Sequence, residues 1–313
     1  MTSRTGRLAP SPTGHLHLGH ARSFLLAYWQ ARSPHAKASG ARLLLRMEDL
    51  DLERVKPGAL EATLEDLRWL GLEWDGKPWI QSEHRAAIDE AALELLADGR
   101  AYPCVCTRRE IEEAASAPQA GMASGRYPGT CRGRWRTLEE ARAETGREPA
   151  LRLCVPPGSL RLHDEFRGDF EVDVDAEVGD FPIRTRSGAP AYQLAVVIDD
   201  ARMGVEEVVR GDDLLSSAAR QYLLQQALGL PHPRWWHVPL VCDEHGQRLA
   251  KRTDALSLRE LARRGVTRAE VLQWVARVSG QVLDAELCCP DFDMRRVPRV
   301  PVLCRSTDWP ASR

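Results

Sequence analysis

Two histidines and a glycine stand at the point where a predicted strand gives way to a predicted helix. The segment PSPTGHLHLGH spans residues 10–20 and places His17, Gly19 and His20 at the start of that helix. A helix N-terminus offers unpaired backbone N–H groups and a positive dipole end, which together bind anions such as phosphate. Glycine lets a nucleotide approach the backbone closely, and residues three apart share one helical face. The pattern predicts a triphosphate-binding loop in which His17 and His20 stabilise charge developing at the α-phosphorus; a histidine-rich surface turn is the alternative.

A second candidate for phosphate chemistry is one of only four lysines among the 43 basic residues. It is Lys251, in the sequence RLAKR at residues 248–252. Arginine replaces lysine easily where only a surface charge is needed, so a retained lysine is a candidate for a specific role. An ammonium group on a flexible stem can follow the phosphates and neutralise a pyrophosphate leaving group. By itself, however, the pentapeptide favours an ordinary surface charge.

Three of the eight cysteines are concentrated in one short segment. They are Cys104, Cys106 and Cys131. Without an export signal disulfides are not expected, and the spacing favours a metal site over scattered thiols. Three thiolates leave one tetrahedral position open, for which Tyr127 is the nearest candidate and Cys154 and His163 are alternatives. Four protein ligands would leave no room for water, so the metal would be a structural zinc; a set of buried, reduced thiols is the alternative.

Length and composition exclude several classes of protein. The chain has 313 residues, of which 43% are hydrophobic and 28% charged, as in an ordinary globular protein. A net charge of −2 excludes a protein that simply coats nucleic acid. Apolar runs such as residues 194–198 are far shorter than the roughly 20 residues of a membrane span, and no signal peptide is visible. We expect a cytoplasmic protein with no membrane partner that acts as a monomer.

The order of the predicted elements is that of an α/β protein. Strands are predicted at residues 6–10, 42–47, 191–198 and 205–210, and helices at residues 18–31, 57–70, 83–96, 214–228, 256–264 and 268–278. Strands that alternate with helices form parallel sheets. Between about residues 101 and 190 the pattern changes to short strands, at 151–155 and 181–183, and to Cys-, Gly-, Pro- and Arg-rich sequence. This change indicates a unit inserted into the sheet.

These motifs together resemble the class I aminoacyl-tRNA synthetases, in the version found in glutamyl-tRNA synthetases. RLAPSPTG at residues 7–14 matches the opening of that family, HLGH at 17–20 matches its His-x-Gly-His signature, and 248–252 matches its lysine-rich loop, with Lys251 as the essential second lysine. Arg248 stands for the usual first lysine and Ala250 for a usual serine, so a charge is kept and a hydroxyl is lost. The resemblance implies an α/β fold with a Rossmann-like parallel sheet, an inserted zinc-binding α+β unit and a short C-terminal helical segment.

On this basis the chain divides into five parts. Residues 1–100 form the first half of the catalytic domain, 101–190 the inserted zinc-containing unit, and 191–255 the second half with its signature loop. Residues 256–280 are expected to be the remnant of a helical stem. No periodic pattern is present in residues 281–313, for which we predict a loosely ordered, irregular tail.

The resemblance also supplies a glutamate pocket. Glutamate needs guanidinium groups for its carboxylates and a carboxylate for its ammonium group. The residues that match substrate contacts of the family are Arg7, Ser11, Glu48, Tyr192 and Arg210, with Glu48 as the partner of the ammonium group. All five lie near predicted strand ends, where open α/β sheets bind ligands. Glu48 could instead be a helix N-terminal charge and Tyr192 a half-buried core residue.

One subgroup of the family fits two further features. Glutamyl-queuosine tRNA(Asp) synthetases have Cys-x-Cys followed by Tyr-x-x-x-Cys, with zinc bound by all four residues; these types stand here at 104, 106, 127 and 131. They lack an anticodon-binding region, and only about 60 residues follow Lys251. The resemblance implies activation of L-glutamate by ATP, with Mg, and transfer of glutamate to queuosine in the anticodon of tRNA(Asp).

Three alternatives to this function are open. They are a minimal glutamyl-tRNA synthetase, a nucleotidyltransferase that uses His-x-Gly-His on another substrate, and a non-catalytic RNA-binding paralogue. A basic run that could contact RNA phosphates consists of Arg126, Arg132, Arg134 and Arg136. A solvated basic face explains the same run equally well.

Overall fold

The computed structural model describes residues 4–51, 53–115, 127–249, 256–305 and 308–309. Its helices are α1 (Leu18–Arg32), α2 (Pro34–Ala38), α3 (Ala59–Trp69), α4 (Arg85–Ala97), α5 (Arg108–Ala115), α6 (Leu138–Thr145), α7 (Tyr192–Met203), α8 (Leu215–Leu228), α9 (Leu258–Arg263) and α10 (Arg268–Val278). Its strands are β1 (Thr5–Leu8), β2 (Arg42–Met47), β3 (Trp79–Ile80), β4 (Ala101–Cys104), β5 (Ala150–Leu153), β6 (Ser159–Asp164), β7 (Gly168–Asp173), β8 (Pro182–Arg184), β9 (Glu207–Gly211), β10 (Arg234–Val238), β11 (Val241–Cys242) and β12 (Val302–Leu303). None of the helices described has both the length and the apolar composition that a membrane crossing requires.

A five-stranded parallel sheet lies at the centre, with the strand order β10-β9-β1-β2-β3. Leu8, Leu43 and Leu45 on β1 and β2 are 0% exposed, as expected of parallel strands covered by helices on both faces. The predicted α/β class with a parallel sheet is confirmed. Two local predictions, the strand at residues 42–47 and the helix at 268–278, agree with the structure to the residue.

The inserted unit follows the first half of the sheet and is built from antiparallel strands. Strands β4, β5 and β8 form one sheet, and β6 and β7 form a hairpin. Buried side chains of this unit, such as Leu151, Leu162 and Ile183, belong to one apolar cluster with residues of α4, α7 and α8. The unit is therefore packed onto the catalytic core through a shared apolar cluster.

The predicted strand at residues 191–198 is wrong, because these residues begin helix α7. Their β-branched, apolar composition favours a strand locally. In the structure, however, all residues from Leu194 to Asp200 are buried, and a helix enclosed by the core needs no polar face. Tertiary packing therefore overrides the local preference, and Tyr192 lies at a helix N-terminus instead of near a strand end.

The prediction of a loosely ordered tail is also wrong for the part that the structure describes. Met294, Val297, Val302 and Trp309 are 2–8% exposed and belong to the same apolar cluster as α1 and α10. Strand β12 pairs in parallel with β11. Residues buried one at a time between prolines and turns show no periodicity, which is why the sequence pattern did not reveal this packing.

Candidate active site

A pocket of about 430 Å³ opens at the carboxyl edge of the central sheet, where open α/β sheets bind ligands. It brings together all of the candidate residues for ATP and glutamate that the structure describes. These are Arg7, Ser11, His17, Gly19, His20, Glu48, Tyr192 and Arg210. Lys251 lies outside the described residues, as do Ala250 and Arg126.

The His-x-Gly-His segment caps helix α1 with its own imidazoles. His17 is the N-cap residue, and its Nδ1 accepts the backbone N–H of Gly19 at 3.1 Å. The Nδ1 atom of His20 accepts the backbone N–H of His17 at 3.3 Å, and the two ring centroids are 3.8 Å apart. An imidazole that accepts at Nδ1 carries its proton on Nε2. Each ring therefore carries its N–H on Nε2, and both residues line the pocket at a helix N-terminus, a position that suits a phosphate group.

Besides giving a nucleotide access to the backbone, Gly19 leaves room for the ring of His17. A Cβ atom built on Gly19 would lie 2.9 Å from Cε1 and 3.1 Å from Nδ1 of His17. Any larger side chain would push the His17 ring out of the position in which it caps the helix. The structure thus links Gly19 to the geometry of the histidine pair.

Both flanks of the signature loop lie beside this histidine pair. On one side, Arg248 and Leu249 line the pocket, and Nη1 of Arg248 forms an ion pair with Oδ2 of Asp213 at 2.6 Å. On the other side, Ser257 forms an isolated antiparallel bridge with His17. The described residues that begin and follow the second signature, more than 220 residues from the first in sequence, therefore lie next to the first signature in the fold.

Two buried arginines form the inner wall of the pocket. Arg7 on β1 and Arg210 on β9 are 6% and 5% exposed. Within the described part of the chain, neither Nη1 nor Nη2 of Arg210 has a hydrogen-bond partner. Burial lowers the pKa of Arg210, and the positive charge of Arg7 acts in the same direction. Nε of Arg7 lies 3.7 Å from Oδ1 of Asp200, so the buried charge that still requires an anion is that of Arg210. A carboxylate fits the planar donor geometry of its guanidinium group.

Glu48 is fixed by an arginine that the sequence analysis did not single out. Arg46 is 0% exposed; its Nη2 donates to Oε1 of Glu48 at 3.0 Å, and its Nη1 donates to Oδ1 of Asp200 at 2.5 Å. Burial alone would lower the pKa of Arg46, but the two carboxylates raise it above its ordinary value. A charge inside an apolar β-run requires an anionic partner, and that signal in the sequence LLLRM could have identified Arg46.

The predicted cysteine cluster is assembled in the inserted unit. The Sγ atoms of Cys104, Cys106 and Cys131 lie within 4.8 Å of one another. The hydroxyl of Tyr127 lies 3.4 Å from Sγ of both Cys104 and Cys106. Sulfur atoms bound to one tetrahedral zinc are separated by similar distances, since each Zn–S bond is about 2.3 Å long. The four groups fit a metal site of this kind.

Arg152 contacts two members of this cluster, whereas the alternative ligands Cys154 and His163 lie outside it. Arg152 donates from Nε to Sγ of Cys104 at 3.3 Å, and its guanidinium carbon lies 3.9 Å from the ring centroid of Tyr127. This cation offsets part of the negative charge that several thiolates would bring. Among the described residues, the cluster of possible metal ligands here does not include the alternatives Cys154 and His163; His163 is exposed on β6, where it pairs with Asp169.

The sequence profile described as tRNA synthetases class I (E and Q), catalytic domain, matches residues 4–305. The chain belongs to this family. It is therefore an enzyme of the aminoacyl-tRNA synthetase type, a ligase whose catalytic domain spans both signatures and the inserted unit.

Individual members of the family are similar over nearly the whole chain. A protein of Rhodopirellula baltica named glutamyl-Q tRNA(Asp) synthetase is 44% identical, and the match covers 94% of this chain and 88% of that protein. Glutamate–tRNA ligase 1 of Halorhodospira halophila is 40% identical over 96% of this chain and 65% of its own length. The crystal structure of a glutamate tRNA ligase from Elizabethkingia meningosepticum, in complex with its amino acid, superimposes with a TM-score of 0.81 at 27% identity, over 98% of this chain and 68% of that one.

Proposed function

We propose that the protein activates L-glutamate with ATP and transfers the glutamyl group to queuosine in the anticodon of tRNA(Asp). The observation that carries the proposal is a single pocket in which two buried arginines lie close to a helix N-terminus capped by two histidines. This arrangement offers a place for a carboxylate next to a place for a triphosphate. The name of the relative from Rhodopirellula baltica supports the choice of acceptor.

The inner wall of the pocket suits the side-chain carboxylate of glutamate. That group stays an anion in both steps, whereas the α-carboxylate becomes a neutral acyl group when it is activated. Buried guanidinium groups on Arg7 and Arg210 match a permanent anion, and the carboxylate of Glu48, already oriented by Arg46, matches the ammonium group. Glutamine would leave the Nη groups of Arg210 without a carboxylate partner, so the pocket discriminates against it.

Activation forms a mixed anhydride at the other end of the pocket. An oxygen of the α-carboxylate attacks the α-phosphorus of ATP, which enters as its Mg complex, and the bond to pyrophosphate breaks. The Nε2–H groups of His17 and His20 would donate to the oxygens that gain charge in this step. Lys251 would neutralise the departing pyrophosphate. In the second step a hydroxyl of queuosine attacks the acyl carbon, an ester bond forms and AMP leaves.

An amino-acid screen tests the first step. Exchange of labelled pyrophosphate into ATP is measured with each standard amino acid in turn and without tRNA. We expect exchange with glutamate alone. Exchange with a different amino acid, or with none, contradicts the proposal.

A minimal glutamyl-tRNA synthetase is the second candidate. The similarity to the glutamate–tRNA ligase of Halorhodospira halophila favours it, because the match covers 96% of the present chain. Both candidates share the activation step and differ only in the acceptor, so the acceptor experiment in the Discussion separates them. The cytoplasmic location and the monomeric state remain predictions from the sequence.

We also propose that the cysteine cluster binds one structural zinc ion. Cys104, Cys106, Tyr127 and Cys131 would hold it, and a closed set of four ligands stabilises a fold without taking part in the reaction. Because β4 carries Cys104 and packs against β5, the ion would tie the loop after β4 to the antiparallel sheet. Binding energy at such a site contributes directly to folding.

Metal analysis of the purified protein should find about one zinc per chain, as one closed site holds one ion. We expect Cys131→Ala to lose the zinc and to lower the unfolding temperature, since removal of one thiolate opens the site. Cys154→Ala is the matched control, because Cys154 is a half-buried thiol of the same unit outside the cluster. A stable parent protein without metal would contradict the proposal. If Tyr127→Phe retained zinc, Tyr127 would be excluded as the fourth ligand, and the three cysteines would still be assigned as ligands.

A further inference from the structure

A buried aspartate and a buried histidine stand behind Arg210, on the side away from the pocket. His237 on β10 is the parallel-strand neighbour of Arg210 on β9. Nε of Arg210 lies 2.9 Å from Nε2 of His237, and Nδ1 of His237 lies 2.7 Å from Oδ2 of Asp164. Asp164 and His237 are both 0% exposed, and neither lines the pocket. The three side chains form one continuous line of hydrogen bonds that ends at the pocket wall.

The direction of each hydrogen bond in this line is fixed by chemistry. A guanidinium group only donates, so Nε2 of His237 must accept the N–H of Arg210. The proton of the neutral imidazole therefore sits on Nδ1, where the carboxylate of Asp164 accepts it. Oδ1 of Asp164 accepts the backbone N–H groups of Phe166 and Arg167 at 2.9 and 2.7 Å, which orients the carboxylate. Each member holds the next in a single orientation.

The hydrogen bond to His237 leaves the two Nη groups of Arg210 for a substrate. Its Nε–H is used by His237, while Nη1 and Nη2 have no hydrogen-bond partner among the residues the structure describes. With Nε held from behind, the plane of the guanidinium group is fixed. The two Nη groups then form a pre-oriented pair of donors, the geometry that binds a carboxylate with two parallel hydrogen bonds.

We infer that Asp164 and His237 are positioning residues that orient Arg210 for the carboxylate of the amino-acid substrate. The inference rests on the proposed function, since it takes the substrate to be glutamate. It also gives the inserted unit a part in substrate binding, because Asp164 ends strand β6 of that unit. An aspartate that fixes the tautomer of a histidine acts in the same way in other enzymes.

Two substitutions of His237 separate its two hydrogen bonds. In His237→Asn the amide nitrogen takes the place of Nδ1 and can still donate to Asp164, but no atom reaches Arg210. In His237→Gln the amide oxygen reaches the place of Nε2 and can still accept from Arg210. We expect His237→Asn to raise the KM for glutamate about 10- to 100-fold, as the loss of a hydrogen bond to a charged group would do. His237→Gln should stay within about fivefold of the parent, because that bond is kept.

Asp164→Asn tests the line from its other end. The amide oxygen can take over the bonds from Phe166 and Arg167, which turns the amide N–H toward Nδ1 of His237. The histidine then carries its proton on Nε2, so that two donors face each other at Arg210. We expect a rise in the KM for glutamate as large as in His237→Asn, and this isosteric variant decides the question if His237→Asn does not fold.

The readouts are the KM values for glutamate and for ATP in pyrophosphate exchange, together with the unfolding temperature. We expect the KM for ATP to stay within about twofold, because the histidine-capped end of the pocket is unchanged. His163→Asn, an exposed histidine next to Asp164 in sequence, is the control for an effect of the substitution as such. Equal KM values for glutamate in the Asn and Gln variants, or parallel losses for glutamate and ATP, overturn the inference. A parent without glutamate-dependent exchange overturns the proposed function, and the inference with it.

Discussion

Transfer of glutamate is expected to fall to background when tRNA(Asp) lacks queuosine. The reason is chemical: the unmodified guanosine has no cyclopentene hydroxyl, so the nucleophile itself is missing and no adjustment of binding can replace it. The enzyme mainly positions that hydroxyl against the activated carbonyl. The measurement is incorporation of labelled glutamate into tRNA(Asp) isolated with and without the modification. The expected effect on glutamate transfer is therefore all or nothing.

Two controls make the result specific for the anticodon. The tRNA(Asp) without queuosine must still accept aspartate from its own synthetase, which shows that it is folded. In the modified tRNA(Asp), removal of the 3′-terminal adenosine should leave glutamate transfer unchanged. Equal charging of both forms of tRNA(Asp), or label found on the 3′ end of tRNA(Glu), would show that a minimal glutamyl-tRNA synthetase is the correct description.

Lys251→Ala is expected to lower the rate of adenylate formation about 100- to 1000-fold, since a lost contact to charge in the transition state costs on the order of 3 kcal/mol. The flanks of its loop support the role, because Leu249 lines the pocket and Ser257 pairs with His17. The KM for glutamate should change by less than about threefold, because the arginine wall is untouched. The assay is glutamate-dependent pyrophosphate exchange.

Lys77→Ala serves as the matched control for Lys251→Ala. Lys77 is exposed and lies outside the residues that line the pocket, so its loss should leave the exchange rate at the parent level. Lys251→Arg keeps the charge and should recover part of the rate. If Lys251→Ala retained the rate within about threefold, the lysine would be a surface charge and the assignment of the signature loop would be wrong.

Features encoded in a short stretch of chain could be read from the sequence. His17, Gly19 and His20 form a helix cap among themselves, so their spacing alone implies most of their geometry. Strand β2 was predictable because its apolar run is continuous and local. Cys104, Cys106 and Cys131 indicated a metal cluster because thiols at such spacing have few other uses in a chain without disulfides.

Features that depend on the tertiary packing around a segment could not be predicted from its local sequence. Residues 191–198 have strand composition, yet the core encloses them from all sides and they form helix α7. Val302 and Trp309 lie in an aperiodic segment, yet both are buried against the main core. Local preference is worth only fractions of a kcal/mol per residue, less than the roughly 1.5–3 kcal/mol gained when a large apolar side chain is buried.

The sequence by itself determined the chemical groups of the two candidate sites: the histidine pair, the two arginines and Glu48 of the pocket, and the thiols of the cysteine cluster. Only the tertiary structure decided what orients them. Arg46 meets Asp200 across 154 positions of the chain, and His237 meets Asp164 across 73. A buried charge must find its partner in space, whatever the sequence distance, so these pairs leave no periodic signal. The donors that remain on Arg210 for a substrate follow from that packing, because its Nε is already bonded to His237.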